Sequence, residues 1–201
     1  MAAEADRPGR PRDAGIDRAI LVATRDQLAS RGYEGMSVAV IAKEAGTTRP
    51  AIYRRWSSKA ELAVAAIADM STAHQRQETD DPRADLIEEL AAFRRGVLRP
   101  NGLGMIGAMF QATTDEQLVT EFRECIVLPR RTRIRRILDR ASEAGMLAPD
   151  ADLDYAVAAC TGILYALVLA ERPIGRDWAE RTADFVWRGA GGSTGQEPGP
   201  A

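Results

Sequence analysis

Across its 201 residues the chain has one histidine, His74, two cysteines, Cys125 and Cys160, and two lysines, Lys43 and Lys59. A Ser/His/Asp triad would have to use His74, which lies in the polar run STAHQRQ with no nucleophile motif near it. No His/Cys cluster has the spacing of a zinc site, and no glycine-rich loop of phosphate-binding form is present. Catalysis, metal and cofactor are therefore all expected to be absent. The two cysteines stand apart in helical contexts and read as reduced packing residues. Aromatics are 5% of a chain that is 45% hydrophobic, so the core must be made of Ala, Leu, Ile and Val, the composition of a helical protein. The longest apolar run, YAVAACTGILYALVLA at 155–170, falls short of the roughly 20 residues a bilayer crossing needs. Residues 1–12, MAAEADRPGRPR, lack the apolar centre of a signal peptide, and a cytoplasmic protein is expected.

The charge that is present is unevenly placed. The whole chain carries −2, but residues 1–60 hold eleven Lys/Arg against seven Asp/Glu, and the remainder sixteen against twenty-two. The basic end is the one suited to phosphate. Six arginines between 130 and 140 also suggest a nucleic-acid patch. Their spacing carries them around much of a helix, however, and a solvated, salt-bridged face is the preferred reading.

At the basic end one stretch is distinctive: Ala45 to Lys59, AGTTRPAIYRRWSSK. Gly46 supplies a sharp turn, and Thr47 and Thr48 offer hydroxyls to cap a helix starting near Arg49. Pro50 falls in the first turn, where a missing N–H costs nothing. Tyr53, Arg54 and Arg55 gather on one face while Ile52 and Trp56, four apart, point inward. Ser58 then caps a further helix that brings Lys59 toward the same surface. Upstream, Ser37 precedes VAVIAKEAG, with Val38, Ile41, Ala42 and Ala45 at helical spacing. Two short helices joined by a glycine turn are the form that lays a recognition helix in a major groove.

The run from Ile20 to Leu62 resembles the DNA-binding domain of the TetR family of bacterial transcriptional regulators. The matching residues are Ala23, Leu28, Gly32-Tyr33-Glu34-Gly35, Ser37-Val38, Ile41-Ala42, Ala45-Gly46, Ile52-Tyr53, Trp56, Ser58-Lys59 and Leu62. Thr47 and Pro50, where the family often has Val and a small residue, sit beside the base-reading positions and bear on the operator sequence. The resemblance implies an all-α fold of about nine helices, with an N-terminal three-helix helix-turn-helix domain and a larger helical domain for ligand binding and dimerisation. The expected division is 1–12 a disordered arm, 13–58 the DNA-binding domain, 59–189 the effector and dimer domain, and 190–201 a flexible tail. Ser37, Tyr53, Arg55 and Lys59 are expected on phosphates. Thr48, Arg49, Pro50, Ala51 and Arg54 are expected nearest the bases, with Arg49 or Arg54 on a guanine and Thr47 as a further DNA-binding residue beside them. The basic residues of the arm, Arg7, Arg10 and Arg12, are a lesser candidate for DNA contact.

Further along, Leu86, Leu90, Phe93 and Val97 form an amphipathic stripe of helical period, and Gly104 to Phe110 reads as an apolar helix. A long helix from Asp115 to Ser142 contains Pro129, which should kink or break it. The all-round apolar helix 155–170 cannot be covered by one subunit of this size and implies a homodimer. Tyr155, Ala159, Ile163, Leu167, Trp178 and Phe185 are the expected contacts, in an arrangement like the family's four-helix bundle between subunits. The resemblance also implies a small-molecule effector within the larger domain. Phe93, Met105, Met109, Phe110, Phe122, Ile126 and Tyr165 would line an apolar cavity for a lipophilic compound. The expected function is a dimeric regulator, a repressor released from a palindromic operator in double-stranded DNA. The alternative is a helical dimer acting on a protein or lipid through another face, its helix-turn-helix vestigial.

Overall fold

A computed structural model describes residues 14–71, 78–99, 102, 107 and 115–192, and these residues are helices, turns and connecting segments. α1 spans Ala14–Gly35 and is interrupted at Gly32, whose φ of 67° breaks the helix at the expected glycine before one more turn. α2 is Val38–Glu44 and α3 is Arg49–Tyr53. α4 runs over Lys59–Ser71 and α5 over Pro82–Leu98. A single rod then follows in three pieces: α6 over Glu116–Phe122, a π turn over Arg123–Val127, and α7 over Leu128–Glu143. α8 is Leu153–Leu169 and α9 is Trp178–Gly189.

Local chemistry sets these ends. Ser37, Thr48, Asp81, Asp115 and Asp152 each cap a helix by accepting from backbone N–H groups two or three residues on. α2 closes on Gly46 at φ 65°, with Gly46 N–H donating to Lys43 O and Thr47 N–H to Ala42 O, so the last carbonyls are satisfied before the chain turns. Pro129 has no N–H for the carbonyl four residues back. The π turn immediately ahead of it widens the helix, and the rod continues through the proline.

Two apolar cores form. Ile20, Leu28, Ile41, Ile52 and Leu62 anchor the first, and Leu118 of α6 and Ile126 of the π turn are buried in it as well. The first core therefore extends beyond residues 13–58, because α4 covers α1 and the front of the rod covers α4. The second collects Leu90 and Phe93 from α5, Ile134 and Leu138 from α7, Val157, Cys160 and Leu164 from α8, and Trp178, Val186 and Trp187 from α9. Each fully buried Leu or Ile contributes about 1.5–3 kcal/mol relative to exposure. Ala190 is buried in this core and its carbonyl accepts from Ala148 N–H, so residues 190–192 are ordered structure rather than the start of a tail. No described helix is long and apolar enough to cross a membrane.

Candidate nucleic-acid interface

α3 stands on α1 and α2, with Ile52 fully buried beneath it and Trp56 partly buried against the same core. Thr48 accepts the Ala51 N–H at 3.3 Å and fixes the helix start, which leaves Thr48, Arg49, Pro50, Tyr53 and Arg54 exposed, with Thr47 and Ala51 half-buried at the edge. Among the described residues, no carboxylate pairs with Arg49 or Arg54. A short helix with an apolar underside and uncompensated guanidiniums on its outer face can enter a groove lined with phosphate without first breaking internal ion pairs.

Other expected contacts have prior engagements. The Arg55 Nε–H donates to the Asp17 carboxylate on α1, and Nη1 donates to Ala51 O at 2.8 Å. Its guanidinium is half-buried and ties α3 to α1, setting the angle at which α3 is presented. Lys59 Nζ donates to Glu34 O at 3.1 Å and lies 4.7 Å from the centre of the Tyr33 ring, a cation–π contact. Ser37 is spent on the α2 cap, at 3.5 Å from Val40 N.

Beneath these residues a polar seam joins the reading unit to the rod. The Tyr33 hydroxyl donates to Asp115 Oδ2 at 2.8 Å, while Asp115 Oδ1 caps α6 at Leu118 N–H. Burial, then the bond to Asp115, push the Tyr33 phenol well above its ordinary range. The Leu118 N–H, then Tyr33, hold the Asp115 carboxyl below its own. Ser58 Oγ caps α4 by accepting from Glu61 N–H and also accepts from Gln117 of α6. Sequence reasoning missed Asp17, Asp115 and Gln117 as supports. Asp17 and Asp115 stand 38 and 82 positions from their partners. The one available signal was Tyr33 in the Gly-Tyr-Glu-Gly run.

The expected effector residues do not form one group. Phe93 and Tyr165 meet in the second core, but Phe122 and Ile126 pack in the first, because the front of the rod lies against α4. Met105, Met109 and Phe110 lie outside the described residues, as do the arm, His74 and the last nine residues of the tail. Of the dimer set, Tyr155 is 76% and Phe185 64% exposed, and Leu169 at the end of α8, outside that set, is 85% exposed. Ala159, Ile163 and Leu167 are half-buried. Trp178 is a correction: only 4% exposed, it packs inside its own subunit against Phe93.

A helix-turn-helix on a helical support, with Arg49 and Arg54 at the two ends of its second helix and unpaired with acids among the described residues, defines a DNA-binding regulator. Residues 20–66 match the family described as bacterial regulatory proteins, tetR family, and residues 76–186 match the tetracyclin repressor-like C-terminal domain. An uncharacterised helix-turn-helix regulator of Bacillus subtilis, YdeS, is 30% identical over 165 residues, 80% of this chain and 82% of the relative. Among solved structures, the TetR family regulator SCO0332 is 24% identical with a TM-score of 0.65, over 87% of this chain and 97% of that one. FadR of Bacillus subtilis, solved with stearoyl-CoA, is 16% identical with a TM-score of 0.68, over 86% and 98%. The chain belongs to the TetR family and is a DNA-binding transcriptional regulator, not an enzyme.

Proposed function

We propose that the chain acts as a homodimer on a palindromic operator, as a repressor whose grip is released by a small effector in the helical domain. The observation that carries the reading is the pairing of two exposed surfaces. α3 and its C-cap offer Arg49 and Arg54 without carboxylate partners among the described residues, and α8 and α9 leave Tyr155, Leu169 and Phe185 uncovered on one chain. Apolar side chains of that size on adjacent helices suit burial against a second copy, and a two-fold axis there places two α3 helices about one DNA turn apart. In this reading Arg49, Arg54, Thr48, Pro50 and Ala51 face base edges, and Tyr53 and Thr47 the flanking backbone. Ser37, Arg55 and Lys59 act mainly as supports, with Lys59 close enough to the surface to add a phosphate contact. FadR's complex with stearoyl-CoA supports a ligand held among the helices of the larger unit.

The test measures binding to the DNA upstream of this chain's own gene by fluorescence anisotropy, with mass determined by analytical ultracentrifugation. Two chains per site and a Phe185→Glu variant that is monomeric and weakly binding are expected. One chain per site at full affinity would sink the dimer reading. No preference for any upstream sequence over random DNA at physiological salt would instead favour action through a protein or lipid partner.

A further inference from the structure

The larger unit's second core contains polar groups that an all-hydrocarbon interior would not keep. The Arg130 side chain on α7 is only 15% exposed, with its guanidinium carbon 4.7 Å from the centre of the Phe93 ring. Its nearest carboxylate is Glu89, with Nε 3.7 Å from Oε1, beyond hydrogen-bond length. That carboxylate is already held by Arg133, which donates from Nε at 3.3 Å and Nη2 at 3.0 Å. Two guanidiniums thus share one carboxylate, and Arg130 Nε has no hydrogen-bond partner among the described residues. A half-compensated cation out of water is expensive, and removal of water is the main influence drawing the Arg130 guanidinium below its ordinary range.

On the same Phe93 ring sit two more aromatics. Tyr165 of α8 meets it edge-on at 5.6 Å and Trp178 of α9 at a tilt at 6.2 Å. The Trp178 indole N–H is buried and has no acceptor among the described residues. Arginine and tryptophan nitrogens donate and never accept. The two unsatisfied groups around this ring system are therefore of one kind, and a neutral hydrocarbon would leave both wanting.

We propose that the effector is an organic anion, a carboxylate on a flat apolar body, with its charge at Arg130 and its body on Phe93, Tyr165 and Trp178. The inference rests on the effector reading above and changes its chemistry from lipophilic to amphipathic and acidic. A carboxylate supplies the acceptors and the negative charge that Glu89, shared with Arg133, does not. The ligand grips α7, which continues through the π turn into α6, whose Leu118 and Asp115 touch the reading unit. Occupancy and DNA affinity are thereby linked through one rod.

The experiment uses the full chain and a panel of benzoate, phenylacetate, cinnamate and 2-naphthoate, each beside its primary amide, read by thermal shift and tryptophan fluorescence. At least one acid should raise Tm by roughly 5–10 °C at a hundredfold excess over its Kd. Its amide should bind at least about tenfold more weakly. Arg130→Gln should erase the difference between acid and amide, and Arg130→Lys should keep it. Trp178→Phe, which retains the ring packing, should weaken the acid and leave Tm of the unliganded chain near that of the parent. No shift from any acid, equal binding of amides, or a preference that survives Arg130→Gln would overturn the proposal. Anisotropy with the upstream DNA separates the two readings. An acid that binds through Arg130 but leaves DNA affinity unchanged keeps the ligand assignment and defeats release by an effector. Release by amides as readily as by acids keeps release and defeats the anion.

Discussion

Arginines gather in two places, around α3 and along α7, and the two sets differ in how far acids answer them. Around α3, Arg49 and Arg54 are exposed with no carboxylate on them among the described residues, and Arg55 is paired to Asp17. On α7 the charges are largely answered from within: Arg133 by Glu89, Arg135 by Asp139 and Asp154, Arg136 by Glu78, and Arg140 by Glu78 and Asp85. The larger number of arginines lies on the helix with less free positive charge. What makes a phosphate-binding surface is therefore the absence of acids within reach of the cations. The α7 pairs do other work, stitching α5, α8 and the start of the larger unit to the rod. Burial opposes ionisation of Asp85, yet its bonds to Arg140 and Thr79 prevail and hold it below its ordinary value.

Charge reversal puts the greatest strain on this contrast. Arg54→Glu should reduce operator affinity a hundredfold or more, since a bidentate base contact is worth about 1–3 kcal/mol and a dimer loses two. Arg136→Glu, on α7, should change it by no more than about twofold. Anisotropy titrations at two salt concentrations decide, and similar losses from the two substitutions would abolish the distinction. Next in size is Asp17→Ala, which leaves Arg55 half-buried and unpaired. Urea unfolding should show a loss of about 1–2 kcal/mol, between the limits for exposed and buried pairs. DNA affinity should fall with it, because α3 loses its brace. If affinity rose instead, Arg55 would be a phosphate contact restrained by Asp17.

The smallest effect concerns the seam. Tyr33→Phe removes one hydrogen bond and should cost about 0.5–1.5 kcal/mol. It should also alter the acid limb of stability. Asp115 in the folded chain is held below its ordinary value, chiefly by the Leu118 N–H and then by Tyr33. Its contribution is complete above the usual carboxylate pKa of about 3.9 and disappears as pH falls through the lower folded value. Thermal melts from pH 7 to pH 3 should therefore converge for Tyr33→Phe and parent at the acid end. Parallel curves would remove Asp115 from the account.

Much of the fold was legible because its signals are local. Ser37, Thr48, Asp115 and Asp152 announce helix starts by residue type, and Gly32, Gly46 and Gly145 announce ends, each with positive φ. Long-range pairing was not legible, because nothing in the spacing of Asp17 says it will meet Arg55. Trp178 shows how fine the margin is. It lies seven positions before Phe185, about 20° short of two full turns, so the two share a face by periodicity. In the folded chain that small difference falls on the rim of the α9 buried arc. The Trp178 ring turns in to Phe93 and the Phe185 ring stays out. The split of Phe122 from Phe93 was not legible for the same reason as the Asp17 pairing: that the front of the rod packs on α4 is a long-range contact with no sign in local spacing.

Leu118 and Ile126 in the first core have a bearing on how such regulators can be recombined. The segment that closes the reading unit is encoded more than fifty positions after α3, inside what the sequence presents as the other domain. A chimera that exchanges only residues 14–58 between relatives would set the donor's α1 against a foreign α4 and ask the donor's Tyr33 to find a foreign Asp115. The transplantable cassette is discontinuous: α1 to α4 together with 115–127. Homologues that trade operator specificity by exchange of the N-terminal block should accordingly co-vary at those thirteen positions.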